Sequence, residues 1–214
     1  SKVWCCFMVV KGLLKFRTNP TIAATGVVVG PLEKKSPFAS SFDKIYDDER
    51  AGQPTNEKGH AKLLEDACMI ALSKADFVPG DADFLLIVDL VNQMTPSNFC
   101  ASKLQIPYIG MFSACATSIS SLLTAALLTE LGMSVCSIAG AGSQHNAVER
   151  QFRYPVEYGS QKPETAQWTV TAAGVAAVNR GSAGGRGPGT ERDPFQVRHT
   201  HAGSGEKTVG GEGS

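Results

Sequence analysis

Apolar residues fall into short unbroken runs separated by stretches in which they recur every three or four positions, the signature of buried strands alternating with helices. "TIAATGVVVG" (21–30) is rich in β-branched residues and bounded by Pro20 and the Gly30-Pro31 pair, so it reads as a strand. In "NEKGHAKLLEDACMIALSKA" (56–75), Leu64, Ala67, Cys68, Ala71 and Leu72 share a helical face, with Asn56 as expected N-cap and Lys74 near the end. "FLLIVDL" (84–90) is continuous enough for a strand covered on both faces, and "VNQMTP" then leads into a short helix from Ser97. "IPYIGMF" (106–112) and "SVCSIAGAG" (134–142) read as further strands. Between them a helix is expected from Ala116 to Leu131, ended by Gly132. Leu122, Leu123, Ala126, Leu127 and Leu128 surround that helix, broken by Ser120, Ser121, Thr124 and Thr129, which predicts burial on several sides. The alternation predicts an α/β layered fold with a mainly parallel central sheet.

Composition narrows the setting. A hydrophobic content of 43% over 214 residues supports one large domain with a real core. Lys plus Arg total 20 and Asp plus Glu total 20, so no broad positive field exists and nucleic acid is not expected as a partner. The cysteines at 5, 6, 68, 100, 115 and 136 form no C-x-x-C pair or metal-type spacing, which fits a reduced, intracellular setting. No apolar stretch reaches spanning length, and Lys11 interrupts the opening "SKVWCCFMVVKGLLKF", so neither a membrane span nor a secretion signal is expected. The pair Cys5 and Cys6 reads as part of an apolar N-terminal strand. From Gly181 the chain turns Gly-rich and poor in aliphatic residues, so 181–214 is expected to be a disordered tail.

Candidate chemistry centres on Cys115. It stands where a strand gives way to a helix, so the helix dipole and unpaired N–H groups favour thiolate. The neighbours Ser113, Ala114 and Ala116 resemble a nucleophile-presenting turn, while the alternative is a small buried hydrophobe. His145, in "AGSQHN", follows a buried strand and is expected at the same C-terminal sheet edge, where α/β sheets bind ligands. His60 reads as solvated or packed on its helix, and His199 and His201 lie in the tail without further ligands, so no metal site is assigned. "QFRYPVEYGSQKPETAQW" (151–168) sets Arg153, Glu157 and Lys162 among Phe152, Tyr154, Pro155 and Tyr158. It is either a carboxylate clasp with aromatic walls or a surface loop whose charges pair with one another. Gln93, in "NQM", supplies an amide at another strand end.

Six segments in order carry a resemblance: "GVVVGPLEKKSPFASSFDKIYDD", "LLEDACMIAL", "DLVNQ", "IPYIGMFSACATS", "SQHNAVERQFRYPVEYGSQKPETA" and "TVTAAGVAAV". They resemble the stage V sporulation protein AD family, thiolase-like proteins of endospore-forming bacteria. The resemblance covers roughly residues 13 to 180, leaving 1–12 as an unassigned N-terminal segment. It implies the N-terminal half of a thiolase-like layered fold, a mixed, mainly parallel sheet with helices on both faces, with Cys115 in the position of the condensing enzymes' acyl-accepting cysteine. It also implies binding of dipicolinic acid, assistance of its uptake as the calcium complex into the developing spore, and a peripheral place at the spore's inner membrane with other uptake-channel proteins.

Two readings follow. In the first, the protein binds ligand without catalysis and needs no cofactor; Arg153 or Lys162 meets carboxylates while Cys115, His145 and Gln93 line the pocket. In the second, it is a thiolase- or ketoacyl-synthase-like acyltransferase with Cys115 as nucleophile, His145 as partner and an oxyanion hole of backbone N–H groups. The first is favoured, because a single well-placed histidine is visible where condensation also needs a proton-handling group. The second half of a thiolase-like fold is not seen: "DPF" at 193–195 looks like its start, but "QVRHTHAGSGEKTVGGEGS" does not continue it, so truncation or a frame shift is expected. A helix cover lost with that half points to a homo-oligomer.

Overall fold

The computed structural model describes residues 8–10 and 13–180. The expectations for Cys5, Cys6, His199, His201 and the Gly-rich tail lie outside the described residues. A small antiparallel pair, β1 (Met8–Val10) and β2 (Leu13–Lys15), precedes β3 (Pro20–Val29), β4 (Lys44–Ile45), β5 (Phe84–Val88), β6 (Cys136–Ser143) and β7 (Ala172–Arg180). The helices are α1 (Asn56–Lys74), α2 (Thr95–Leu104), α3 (Thr117–Glu130) and α4 (His145–Phe152). The main sheet has five strands in the order β4-β3-β7-β6-β5. Strands β3, β4, β5 and β6 point one way, and β7 runs antiparallel between β3 and β6.

Each face of the sheet carries a helix layer. On one face α1 and α2 bury Leu64, Leu72, Leu85, Ile87, Ile138 and Val175 in the larger core. On the other, α3 lays Leu122, Ala125 and Leu128 over Leu86, Ala139 and Val178. The α1 layer sits close because Gly26 faces it: a Cβ there would collide with the backbone carbonyl of Ala67. Continuous apolar runs for β5 and β6 match strands covered on both faces.

Several details differ from the periodic reading. Thr55, not Asn56, caps α1: its hydroxyl accepts from the Lys58 N–H at 3.2 Å, and Asn56 is already helical. The run 106–112 adds one bridge to the sheet, Leu85 with Tyr108, rather than a full strand. The pattern named neither β7 nor α4. Gly132, at φ +71°, does end α3, with its N–H on the Thr129 carbonyl and the Met133 N–H on that of Leu128.

The face of α3 expected to lack a cover is open. The sheet face of the helix is covered, but Ile119 is 68% exposed and Leu123 41%, and Phe112, Leu131 and Met133 extend the apolar surface. Burying each such side chain is worth about 1.5–3 kcal/mol, so the uncovered face is a strong drive to associate. The isolated chain is expected to self-associate at micromolar concentration and to bind a hydrophobic dye, with Ile119→Glu plus Leu123→Glu suppressing both. Sedimentation of a dye-silent monomer contradicts this.

His60, read from sequence as solvated or packed, is fully buried on α1, and neither ring nitrogen has a hydrogen-bond partner among the described residues. Burial, opposed by the Asp89 charge and the Gly142 backbone, pushes its pKa below the usual 6.5. A depressed histidine pKa means that the unfolded chain takes up the proton first on acidification. Stability therefore falls as pH drops through 6.5 toward the folded-state value. Denaturant melts of wild type and His60→Leu between pH 7.5 and 5 are expected to show a shallower fall for the variant; parallel pH profiles would exclude His60 as the cause.

Candidate functional site

Strands β3, β5 and β6 end at one edge of the sheet and β7 begins there, so the segments following or preceding them converge. Cys115 lies in a single 3-10 turn, Ala114–Ala116, leading into α3. Ala114 takes φ +45°, and the Thr117 hydroxyl accepts the Ser113 N–H at 3.0 Å. The Cys115 side chain is exposed rather than packed as a core residue. It opens onto a cavity of about 330 Å³ walled by Val88, Leu90, Ala141, Gly142 and Ala172, with Asp89 at one side. The Asp89 carboxylate is occupied internally: it accepts the N–H of Val91 at 2.8 Å and that of Ser97 at 2.9 Å. His60 stands behind this wall, where a Cβ on Gly142 would lie 3.3 Å from its Nε2.

His145 opens α4, with one residue between it and the end of β6, at the same edge, but lines a different and larger cleft of about 1040 Å³. Its backbone N–H donates to the Thr171 hydroxyl at 3.1 Å, and its Nδ1 is 3.0 Å from the Thr169 carbonyl. Trp168 stacks on the imidazole with centroids 4.5 Å apart, and the Lys162 ammonium sits 3.5 Å from the centre of the indole. Asp48, Glu49, Arg50, Arg150 and Glu164 share the cleft with Lys162 and His145.

The organising group is one that the sequence did not single out. Glu149, on α4, is 3% exposed. Its Oε1 accepts the Thr169 N–H at 2.9 Å, and its Oε2 lies 3.2 Å from the Lys162 ammonium. Arg153 Nε is 3.5 Å and His145 Nδ1 3.6 Å from the same carboxylate. Burial pushes the Glu149 carboxyl up, but the Thr169 N–H, Lys162 and His145 outweigh it and hold its pKa below the usual carboxylate range.

The five sequence-nominated residues are therefore dispersed. Cys115 faces the smaller cavity, while His145 and Lys162 face the larger cleft. Arg153 lines neither; its guanidinium turns to Glu149 and, at 3.2 Å, to the Thr169 hydroxyl. Gln93 also lines neither, standing exposed at φ 59° with its carbonyl accepting from Asn98. Within 151–168, Arg153 and Lys162 do not pair inside the segment: both turn to Glu149, which precedes it. The missed residues of the cleft, Asp48 to Arg50, belong to a polar run whose one sequence signal is its density of charge.

Comparison with known proteins fixes the family. The family model of stage V sporulation protein AD matches residues 11–187. Stage V sporulation protein AD of Bacillus subtilis (strain 168) is 40% identical over 159 residues, covering 74% of this chain and 47% of that protein, so the chain spans about half the length of this relative. Among solved structures, a type III pentaketide synthase from Neurospora crassa superposes with a TM-score of 0.54 at 14% identity, over 78% of this chain and 58% of that one. The 3-oxoacyl-(acyl-carrier-protein) synthase III from Aquifex aeolicus VF5 gives 0.51 at 15% identity, over 76% and 54%. At such identities these two show the fold alone, and it is thiolase-like. The match across residues 11–187 places this chain in the stage V sporulation protein AD family.

Proposed function

We propose that this chain binds dipicolinic acid as its calcium complex and assists its uptake into the developing spore, at the periphery of the inner membrane and together with other uptake-channel proteins. The observation that carries the reading is the 1040 Å³ cleft at the strand ends, where Arg50, Arg150 and Lys162 stand beside the His145–Trp168 stack. A planar pyridine with two carboxylates asks for cations and flat walls, and guanidinium groups suit carboxylates in particular. The same cleft carries Asp48, Glu49 and Glu164. Oxygen donors of that kind suit a hard cation such as calcium, so a lining of both signs favours the neutral complex over the free dianion. Among the described residues no helix is long and apolar enough to cross a membrane.

The acyltransferase reading rests on a separate observation, the exposed Cys115 thiol in an apolar-walled cavity. There a thiolate would attack an acyl-thioester carbonyl and expel the carrier thiolate. Cys115 and His145 line different cavities, and the lining of the Cys115 cavity includes no histidine. That separation favours binding.

Calcium dipicolinate titrated into the chain is expected to bind with measurable heat and to change the emission of Trp168, which is 61% exposed on the cleft. Pyridine-2-carboxylate, lacking one carboxylate, is expected to bind at least about tenfold more weakly. Silence with calcium dipicolinate at millimolar concentration defeats the reading. Intact mass after incubation with an acyl-thioester is expected to show no acylated protein; an acyl adduct that disappears in Cys115→Ser would promote the acyltransferase reading instead.

A further inference from the structure

We infer that Arg50 is the specificity-determining cation that receives the ligand's carboxylate in the strand-end cleft, an inference that rests on the ligand reading above. The cleft's other cations, and Arg153 nearby, are already committed. Lys162 lies 3.2 Å from one Glu149 oxygen and 3.3 Å from the other, and covers the Trp168 ring. Arg153 is turned away from the cleft against Glu149 and Thr169. Arg150 Nη2 is 2.7 Å from Glu57 Oε1. Arg50 lines the cleft, and its side chain makes one long contact, Nη1 to the Pro54 carbonyl at 3.4 Å, with no ion pair among the described residues. A ligand carboxylate meeting Lys162 must compete with a buried protein carboxylate; one meeting Arg50 competes with water.

The backbone that carries Arg50 is held from three sides. The Asp48 carboxylate accepts the N–H of Arg50 at 2.7 Å and of Gly52 at 2.6 Å, closing the turn. Helix α1 packs against it at Gly59, where a Cβ would come within 2.6 Å of the Arg50 carbonyl oxygen. The next residue back is tied to the cleft's other walls: Gln144 Nε2 donates to the Glu49 carbonyl at 3.1 Å, and the Thr171 hydroxyl donates to the Glu49 carboxylate at 2.6 Å. An exposed guanidinium on a fixed mount loses side-chain freedom alone when it binds, which is how a pre-organised site limits the entropic cost. Its planar fork matches a carboxylate in two parallel hydrogen bonds.

The test titrates calcium dipicolinate, by calorimetry and Trp168 emission, into wild type, Arg50→Gln, Arg50→Lys and Lys162→Gln, with thermal melts of each as the folding control. Arg50→Gln is expected to weaken binding at least about tenfold with an unchanged melt, because the Arg50 side chain makes no ion pair that the fold needs. Arg50→Lys is expected to recover part of the loss, keeping the charge but not the fork. Lys162→Gln is expected to cost less than Arg50→Gln. Wild-type binding that survives in Arg50→Gln, or falls as far or further in Lys162→Gln, overturns the assignment and leaves the ligand reading standing. Absence of binding in wild type overturns both.

Discussion

A buried carboxylate sets the terms for the functional edge of this protein. Taking an ionised carboxylate out of water costs several kcal/mol unless partners are supplied, and Glu149 on α4 is almost wholly buried. Those partners come from the chain that follows: the Thr169 N–H, Lys162 and Arg153, with His145 from the same helix. Satisfying Glu149 therefore folds the segment from Arg153 to Thr169 back over α4. Trp168 lands on His145 and Lys162 on Trp168, and one wall of the large cleft is made.

The opposite wall depends on how closely helix and sheet approach. Gly26 lets α1 settle on β3, and Gly59 lets the turn at Arg50 settle on α1. Strand β7 completes the arrangement by running antiparallel between β3 and β6, so it starts at the edge where its neighbours end. Thr171, just before β7, then donates its hydroxyl to the Glu49 carboxylate and accepts the His145 backbone N–H on the same oxygen. The cleft is thus assembled from segments far apart in sequence, each fixed by a group that is itself buried or bonded.

Two cavities open at this edge, and their linings differ in kind. The one under Cys115 is small and largely apolar, framed by β5, β6 and the start of α3; the one beyond His145 is wide and charged. Cys115 stands at the head of α3, but the fold does not dictate which cavity holds a ligand. In this chain the flat rings of His145 and Trp168 and the charged side chains are gathered in the second.

The sequence by itself determined the elements whose apolar periodicity is strong: β3, α1, β5, α3 and β6 were all legible. Strand β7 was not, because "AAGVAAVNR" is mostly small residues and owes its extended form to partners on both sides. Helix α4 has eight residues, too short for a secure period. Among site residues, the shared edge of Cys115 and His145 followed from alternation, but their separation into two cavities did not. Nor could spacing show that Lys162 and Arg153 spend their charge on Glu149, or that Arg50 keeps its own. Periodicity reports which face of an element is buried, whereas the partner of a charge is set by distances between segments, and those exist only once the layers have packed.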